Sequence, residues 1–273
     1  MQLTRRQMIQ HSVMAGVGSM FCCGCQSTPY TNRKRVVLIP ESREIALGAT
    51  AFQETLAEES MSTNRRLVEM VKRVGQRIAS ASGRRDYDWD FQLIASQTQN
   101  AFALPGGKVA IYEGILPVCQ TEGGLAVVMS HEVGHAIARH GGERMTKSGV
   151  TDFLGSAVDS IAKAKLPDRA DDLMKAYGVV SKFGVLLPYN RLQESEADHI
   201  GLMLMAEAGY DPTVAPSFWE RFGRLKGEGQ PIEWLSTHPA DSRRAADLLA
   251  LMDEASAIYR KVSTKHGVGE RIV

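Results

Sequence analysis

The sequence predicts an α+β fold, mostly helical, with one small sheet. Three observations carry this. Residues 41–82 place apolar side chains at helical spacing. Between Trp89 and Tyr112 the period drops to two. Beyond Gly114 helical spacing resumes and runs almost to the C-terminus. With 273 residues, 44% hydrophobic and 23% charged, the chain has the composition of an ordinary globular protein and can bury a substantial core.

The first residues are set apart from the fold. Met1-Gln2-Leu3-Thr4-Arg5-Arg6 is positively charged, and a weakly apolar run of small residues follows from Ser12 to Gly24. That run is shorter than the ~20 residues a bilayer crossing needs, so 1–25 reads as a secretory signal. Thr4-Arg5-Arg6-Gln7-Met8-Ile9 resembles a twin-arginine export signal. Cys22-Cys23-Gly24-Cys25 resembles a lipoprotein cleavage box without its usual leucine. This predicts an exported, periplasmic protein anchored to a membrane by a lipid on Cys25, with Cys119 the one free thiol. Residues 26–40, polar and containing Pro29 and Pro40, read as a tether.

The main domain is expected over 41–265, with 266–273 as a tail. Helices are predicted at 41–58 and 62–82, where Leu67, Val71, Val74 and Ile78 form one stripe and Gly83 supplies a stop. Trp89, Phe91, Leu93 and Ala95 alternate as in a strand. Ala101-Phe102-Ala103-Leu104, a turn at Pro105-Gly106-Gly107, and Val109-Ala110-Ile111-Tyr112 read as two strands or a hairpin. Helices follow at 121–140, 143–164, 168–186, 191–208, 212–225 and 239–262, with a loop at 227–231. The apolar stretch 176–188 reads as core. Lys and Arg total 32 against 31 Asp and Glu, and aromatics are 7%, so neither a basic excess nor a base-stacking surface is available for nucleic acid.

The chemistry concentrates at His131, Glu132 and His135. Four residues turn a helix by ~400°, so the two imidazoles leave nearly the same face, one turn apart. That spacing suits a shared tetrahedral Zn²⁺. Glu132 lies one step round, placed as a base toward a water at the metal rather than as a ligand. Leu125, Val127, Val128, Val133 and Ile137 make this helix apolar, and buried histidine and glutamate are costly unless paired or liganded. His140, by the same helical geometry, points away and reads as structural. A third ligand is expected from a second helix, 59 residues after His135, where Glu194 and Asp198 share a face. Glu194 is the candidate ligand. Asp198 is positioned to accept the other ring N–H of a ligand histidine, most plainly His131. Glu196 points elsewhere.

These residues, His131-Glu132-x-x-His135 followed by Glu194-x-x-Ala197-Asp198 and Gly201, resemble the gluzincin peptidases of the HtpX and CAAX-prenyl-endopeptidase family. Two further segments resemble its soluble, exported branch, which includes bacterial BepA and LoiP and the mitochondrial OMA-type proteases. They are Asn100-Ala101-Phe102-Ala103-Leu104-Pro105-Gly106-Gly107 and Ser236-Thr237-His238-Pro239 with Arg244 after it. The resemblance runs from about Glu41 to Leu251. It implies a zincin-like metallopeptidase domain with the sheet beside the metal helix and one zinc per chain. HtpX-like members carry transmembrane helices and BepA-like members a C-terminal repeat domain; neither is visible here, and neither property is carried over.

The resemblance further implies an endopeptidase of the cell envelope that hydrolyses unfolded or extended protein segments, with quality control as its setting. Glu132 is its base. The loop of His238 lies by the metal cleft, where His238 either donates to the oxyanion or fills the open metal position as a latch. Arg244 is a second oxyanion candidate, or else pairs structurally with an acid. Asn100, Ala101, Phe102 and Ala103 are expected to offer an edge to the peptide substrate. His199 reads as lying beside the site or on the surface; His11 and His266 carry no reading. The competing hypothesis is a zinc-stabilised chaperone or binding lipoprotein with latent proteolysis.

Overall fold

A computed structural model describes residues 25–147, 189–227, 233–238 and 243–272. The signal up to residue 24, the helices expected beyond residue 147 and up to 186, and the apolar stretch 176–188 lie outside the described residues.

Strand β1 (Cys25–Ser27) pairs antiparallel with β2 (Lys34–Val36), with Gln26 opposite Arg35. The residues expected as a tether therefore form a hairpin, and it is docked. Thr28 is buried, as is Arg35. The Arg35 guanidinium donates to the carbonyl of Ala138, and Leu38 N–H donates to Thr146 Oγ1 at 3.0 Å. Polar composition alone suggested solvent exposure; the partners that bury these polar groups lie more than a hundred residues away.

Helix α1 (Glu41–Glu58) comes next, then α2 (Arg65–Ala81). The Asn64 side chain accepts from Leu67 N–H and starts α2 three residues later than the periodicity suggested. Met70, Val71, Val74 and Ile78 form its buried face. Gly83 follows with φ +68°, the left-handed conformation that ends many helices.

The sheet has order β3-β5-β4, from β3 (Asp90–Ile94), β4 (Ala101–Leu104) and β5 (Lys108–Tyr112). β3 runs parallel to β5, and β4 antiparallel to it. Alternation along the strands sends Phe91, Leu93, Val109 and Ile111 into the main core. Ile94, Phe102, Ala110 and Tyr112 point to the other face, against Phe52 of α1. Thus β4 is an outer edge, unpaired on one side among the described residues.

After a 3₁₀ turn (Glu113–Ile115) and the short α3 (Leu116–Cys119), Thr121 caps α4 (Glu122–Ile137) by accepting from Gly124 N–H at 3.0 Å. Every residue of α4 is buried. The helix stops there, although the periodicity predicted continuation to residue 140. Ala138 caps it, and Arg139 takes φ +51°. Helical structure resumes at 140–147.

Asn190 and Gln193 form a reciprocal capping box at the start of α5 (Arg191–Glu207). Then come α6 (Val214–Gly227), α7 (Glu233–Thr237), α8 (Arg244–Ala250) and α9 (Met252–Lys261). The helix predicted at 239–262 is thus broken at Leu251, and its first residues fall outside the described ones. Residues read as a tail pack back on the domain: Ile272 is buried and its N–H donates to Gln120 O at 2.9 Å. No helix among the described residues is long and apolar enough to cross a membrane.

Candidate metal centre

The site forms where α4 and α5 cross at close range. A Cβ on Gly201 of α5 would stand 3.0 Å from the backbone nitrogen of His131, and one on Gly134 of α4 would stand 3.0 Å from the carbonyl of Ala197. Glycine at both positions lets the backbones meet. The crossing brings the imidazoles of α4 to the carboxylates of α5.

His131, Glu132, His135, Glu194 and His238 are all nearly inaccessible to solvent. His131 Nε2 lies 3.1 Å from His135 Nε2 and 3.6 Å from Glu194 Oε2. His135 Nε2 is 3.3 Å from Glu194 Oε1. His238 Nδ1 is 3.2 Å from His131 Nε2 and 3.1 Å from Glu194 Oε1. All four residues offer ligand atoms within 4.8 Å of one another. Atoms ~2.0–2.1 Å from one tetrahedral ion lie ~3.3–3.4 Å apart, so these separations match the edges of such a polyhedron. The donor set also fits. Three imidazole nitrogens facing one another beside a carboxylate are mutually repulsive unless a proton or cation sits among them.

The far sides of the rings are held as ligand histidines require. His131 Nδ1 lies 3.0 Å from Asp198 Oδ1. His135 Nδ1 lies 2.8 Å from His140 Nδ1, and His140 Nε2 lies 2.9 Å from Glu196 Oε2. This corrects the direction expected for His140, which lies behind His135 and not among the candidate ligand atoms. The rotation that pointed it away assumed an unbroken helix, and the turn at Arg139 brings it back. Glu196 does point away from the metal atoms, as expected, but onto His140.

Burial pushes the His135 imidazole well below its usual pKa, against the hydrogen bond to Glu194, which favours the neutral form a metal needs. Burial works to raise Glu194, but His238, His135 and His131 outweigh it and hold the carboxyl well below the usual range. Asp198 is also lowered, burial being overcome first by Arg244 and then by His131.

Arg244 donates from Nε and Nη2 to Asp198, both at 2.6 Å, and from Nη1 to Glu194 Oε2 at 2.9 Å. Its guanidinium carbon lies 3.4 Å over the Trp219 ring. The structure therefore places Arg244 on the two carboxylates. Glu132 accepts from Trp234 Nε1 at 2.7 Å and lies 3.3 Å from His238 Nε2.

Asn100 is buried, and Tyr112 N–H donates to its carbonyl at 3.1 Å. Ala101, Phe102 and Ala103 lie in β4, which packs against α4. Trp234 N–H donates to Gln99 O at 3.0 Å, tying α7 to the start of this edge. The sequence reading missed three neighbours: Trp234 on Glu132; Tyr189, stacked on His135 at 3.8 Å between ring centres; and the attachment of Glu196 to Thr28, Thr31 and Arg33. A five-residue helix shows no period, which hid Trp234. Only Tyr189, immediately before the Asn190 cap, carried a local signal of its place.

The sequence model of peptidase family M48 matches residues 66–252. The chain belongs to peptidase family M48. It is similar to the mitochondrial metalloendopeptidase OMA1 of Schizosaccharomyces pombe, 35% identical over 92% of this chain and 73% of the relative. It is also similar to OMA1 of Saccharomyces cerevisiae, 27% identical over 91% of this chain and 75% of the relative. The beta-barrel assembly-enhancing protease of Escherichia coli is 26% identical over 75% of this chain, a match that spans 43% of that protein. Family membership and the His/Glu cluster make the chain a metal-dependent endopeptidase with the expected α+β fold.

Proposed function

We propose that the metal is zinc, held by His131, His135 and Glu194, and that the enzyme cleaves extended or unfolded segments of protein in the cell envelope. The carrying observation is the convergence of these three side chains with His238 at one buried point, with Glu132 3.3 Å from the His238 ring. When bound there, zinc would acidify a water and polarise the scissile carbonyl. The protein residues supply the rest. Glu132, aimed by Trp234, takes the proton of the attacking water and returns it to the leaving amine. Asp198 fixes His131, and Arg244 steadies both carboxylates of α5. Its donors are committed to those acids, which supports a positioning role over oxyanion binding. His238 Nδ1 lies among the candidate ligand atoms, which supports the latch reading: it would help hold the metal until substrate arrives, and its ring would then be placed to donate to the oxyanion. The side of β4 left unpaired among the described residues suits a peptide added by main-chain hydrogen bonds, which reads sequence weakly and fits unfolded substrates.

Export, and a lipid on Cys25 anchoring the chain to a membrane, rest on the pattern of residues 1–25. A protein quality-control role fits that placement and the relaxed substrate choice.

The test compares zinc-loaded protein lacking the signal with its Glu132→Gln variant on an unfolded protein. Cleavage by the parent, reduced at least ~100-fold in the variant, is expected from loss of a general base. Equal suppression of aggregation by both, with no cleavage, would favour a chaperone instead. His238→Ala should retain zinc, shorten any lag before cleavage and slow the steady rate ~100- to 1,000-fold through loss of the oxyanion donor; an unchanged lag would reject the latch.

A further inference from the structure

The protons of the buried chain behind His135 can be assigned. Glu196 is a carboxylate surrounded by donors: Thr28 Oγ1 at 2.6 Å, Thr31 Oγ1, Arg33 Nε at 2.7 Å and Arg33 Nη2 at 2.6 Å. It only accepts, so His140 Nε2, 2.9 Å away, carries a proton. A neutral His140 then has a bare Nδ1. The 2.8 Å contact between His140 Nδ1 and His135 Nδ1 needs one proton, and it belongs to His135. His135 is thereby left with its lone pair on Nε2, the atom facing Glu194 and His131.

Each link is buried: His135, His140, Glu196 and Thr28 are each 4% exposed or less. Arg33 is itself braced, donating to both oxygens of Glu143 at 3.0 and 2.8 Å, and Gln193 Nε2 reaches Glu143 Oε2 at 3.2 Å. The N-terminal segment around the hairpin also grips the turn after α4 directly. Arg139 Nη1 donates to Gln26 Oε1 at 2.8 Å and Nη2 to Ile39 O at 2.9 Å. The two ligand histidines thus differ. His131 is oriented by Asp198, a side chain of the helix that also carries Glu194. His135 is oriented through a path that ends in the N-terminal hairpin.

We propose that Thr28, Thr31 and Arg33 of the hairpin are positioning residues of the metal centre, acting through Glu196 and His140 to fix His135 as the Nδ1–H tautomer. The inference rests on the reading of His131, His135 and Glu194 as ligands. Undocking the hairpin strips Glu196 of its hydroxyl and guanidinium donors and leaves the His140–Glu196 pair without its anchor. His135 then loses the fixed acceptor of its Nδ1–H, although no ligand has been touched.

The test measures zinc affinity of the full chain by chelator competition, with the Co²⁺ absorption spectrum as a second readout. His140→Leu, which removes the acceptor, should weaken zinc binding ~10- to 100-fold, as loss of such outer partners does. In His140→Asn the amide Oδ1 stands near the former Nδ1 and still accepts from His135, so affinity should return close to the parent value. Arg33→Met should weaken zinc binding in the parent and have little effect in the His140→Asn background, where the acceptor no longer depends on Glu196. His140→Asn as poor as His140→Leu, or an Arg33→Met effect confined to thermal stability, would overturn the proposal. Arg33→Met keeps the test available if His140→Leu does not fold. A parent chain that holds no zinc overturns the ligand reading and this one with it; a parent that binds zinc no better than His140→Leu overturns this one alone.

Discussion

Replacing Gly201 by alanine tests whether the crossing of α4 and α5 sets the metal geometry. The new Cβ would stand 3.0 Å from His131 N and 3.1 Å from His131 Cα. Ordinary contact begins at 3.4 Å, so the helices must part by about 0.4 Å or more. Both sides of the contact are backbone, and no side chain can turn aside. Overpacking of this kind costs ~1–3 kcal/mol. Alanine in place of glycine inside a helix returns ~1 kcal/mol. The net loss of apo stability is therefore small, ~0–2 kcal/mol. The displacement, however, falls between the imidazoles of α4 and the carboxylate of α5. Metal–ligand distances tolerate only ~0.2 Å. Zinc affinity should fall at least ~10-fold while urea unfolding of the apo protein shifts by no more than ~2 kcal/mol. Gly223→Ala is the control: it lies exposed in α6 with nothing near its Cβ, so it should gain up to ~1 kcal/mol and leave zinc binding alone. A Gly201→Ala protein that is more stable than the parent and binds zinc equally well would refute the reasoning.

Two further outcomes are expected. Glu122 is buried against Arg73 at 2.6 Å and Arg77 at 2.9 Å; burial tends to raise its pKa, but hydrogen bonds with Arg73, Glu270 and Tyr210 bring it down to about 2. Its folded pKa lies below the unfolded value, so its contribution is complete above pH ~4.5 and lost as pH falls toward ~2. In urea melts across that range, Glu122→Gln should be less stable at neutral pH and lose less on acidification; parallel curves would reject the assignment. Burial pushes the Cys119 thiol up to about 12, so in the native protein iodoacetamide should label it only as fast as the chain unfolds, as mapped by mass spectrometry of its peptide; rapid labelling of the folded chain would contradict its burial.

The elements that sequence periodicity located are those whose neighbours repeat. The stripe from Val71 to Ile78 and the alternation at Phe91 and Leu93 each face one continuous core. Ligand spacing was legible for the same reason: four residues on a helix mean one face, for His131 with His135 and for Glu194 with Asp198. What the sequence did not disclose depends on single long-range contacts. Arginine has no preference for φ +51°, and nothing local marks Arg139 as the end of α4. Its side chain is held there by Glu44, Gln26 and Ile39, all near the N-terminus. The docked hairpin was hidden likewise, because Thr28 and Arg33 look like solvated polar residues until Glu196 is placed beside them.

Two of the three tryptophans flank the reaction point. Trp219 and Trp234 stack with ring centres 5.2 Å apart and planes within 12°. The first lies beneath the Arg244 guanidinium, and the second donates its indole N–H to Glu132. The third, Trp89, stacks instead on Phe91 beside the sheet. Ultraviolet emission from this enzyme is thus weighted toward its own chemistry. Movement of His238, arrival of a metal or a change of charge on Glu132 would each alter the field at a coupled indole pair, so occupancy and turnover are readable in unlabelled protein.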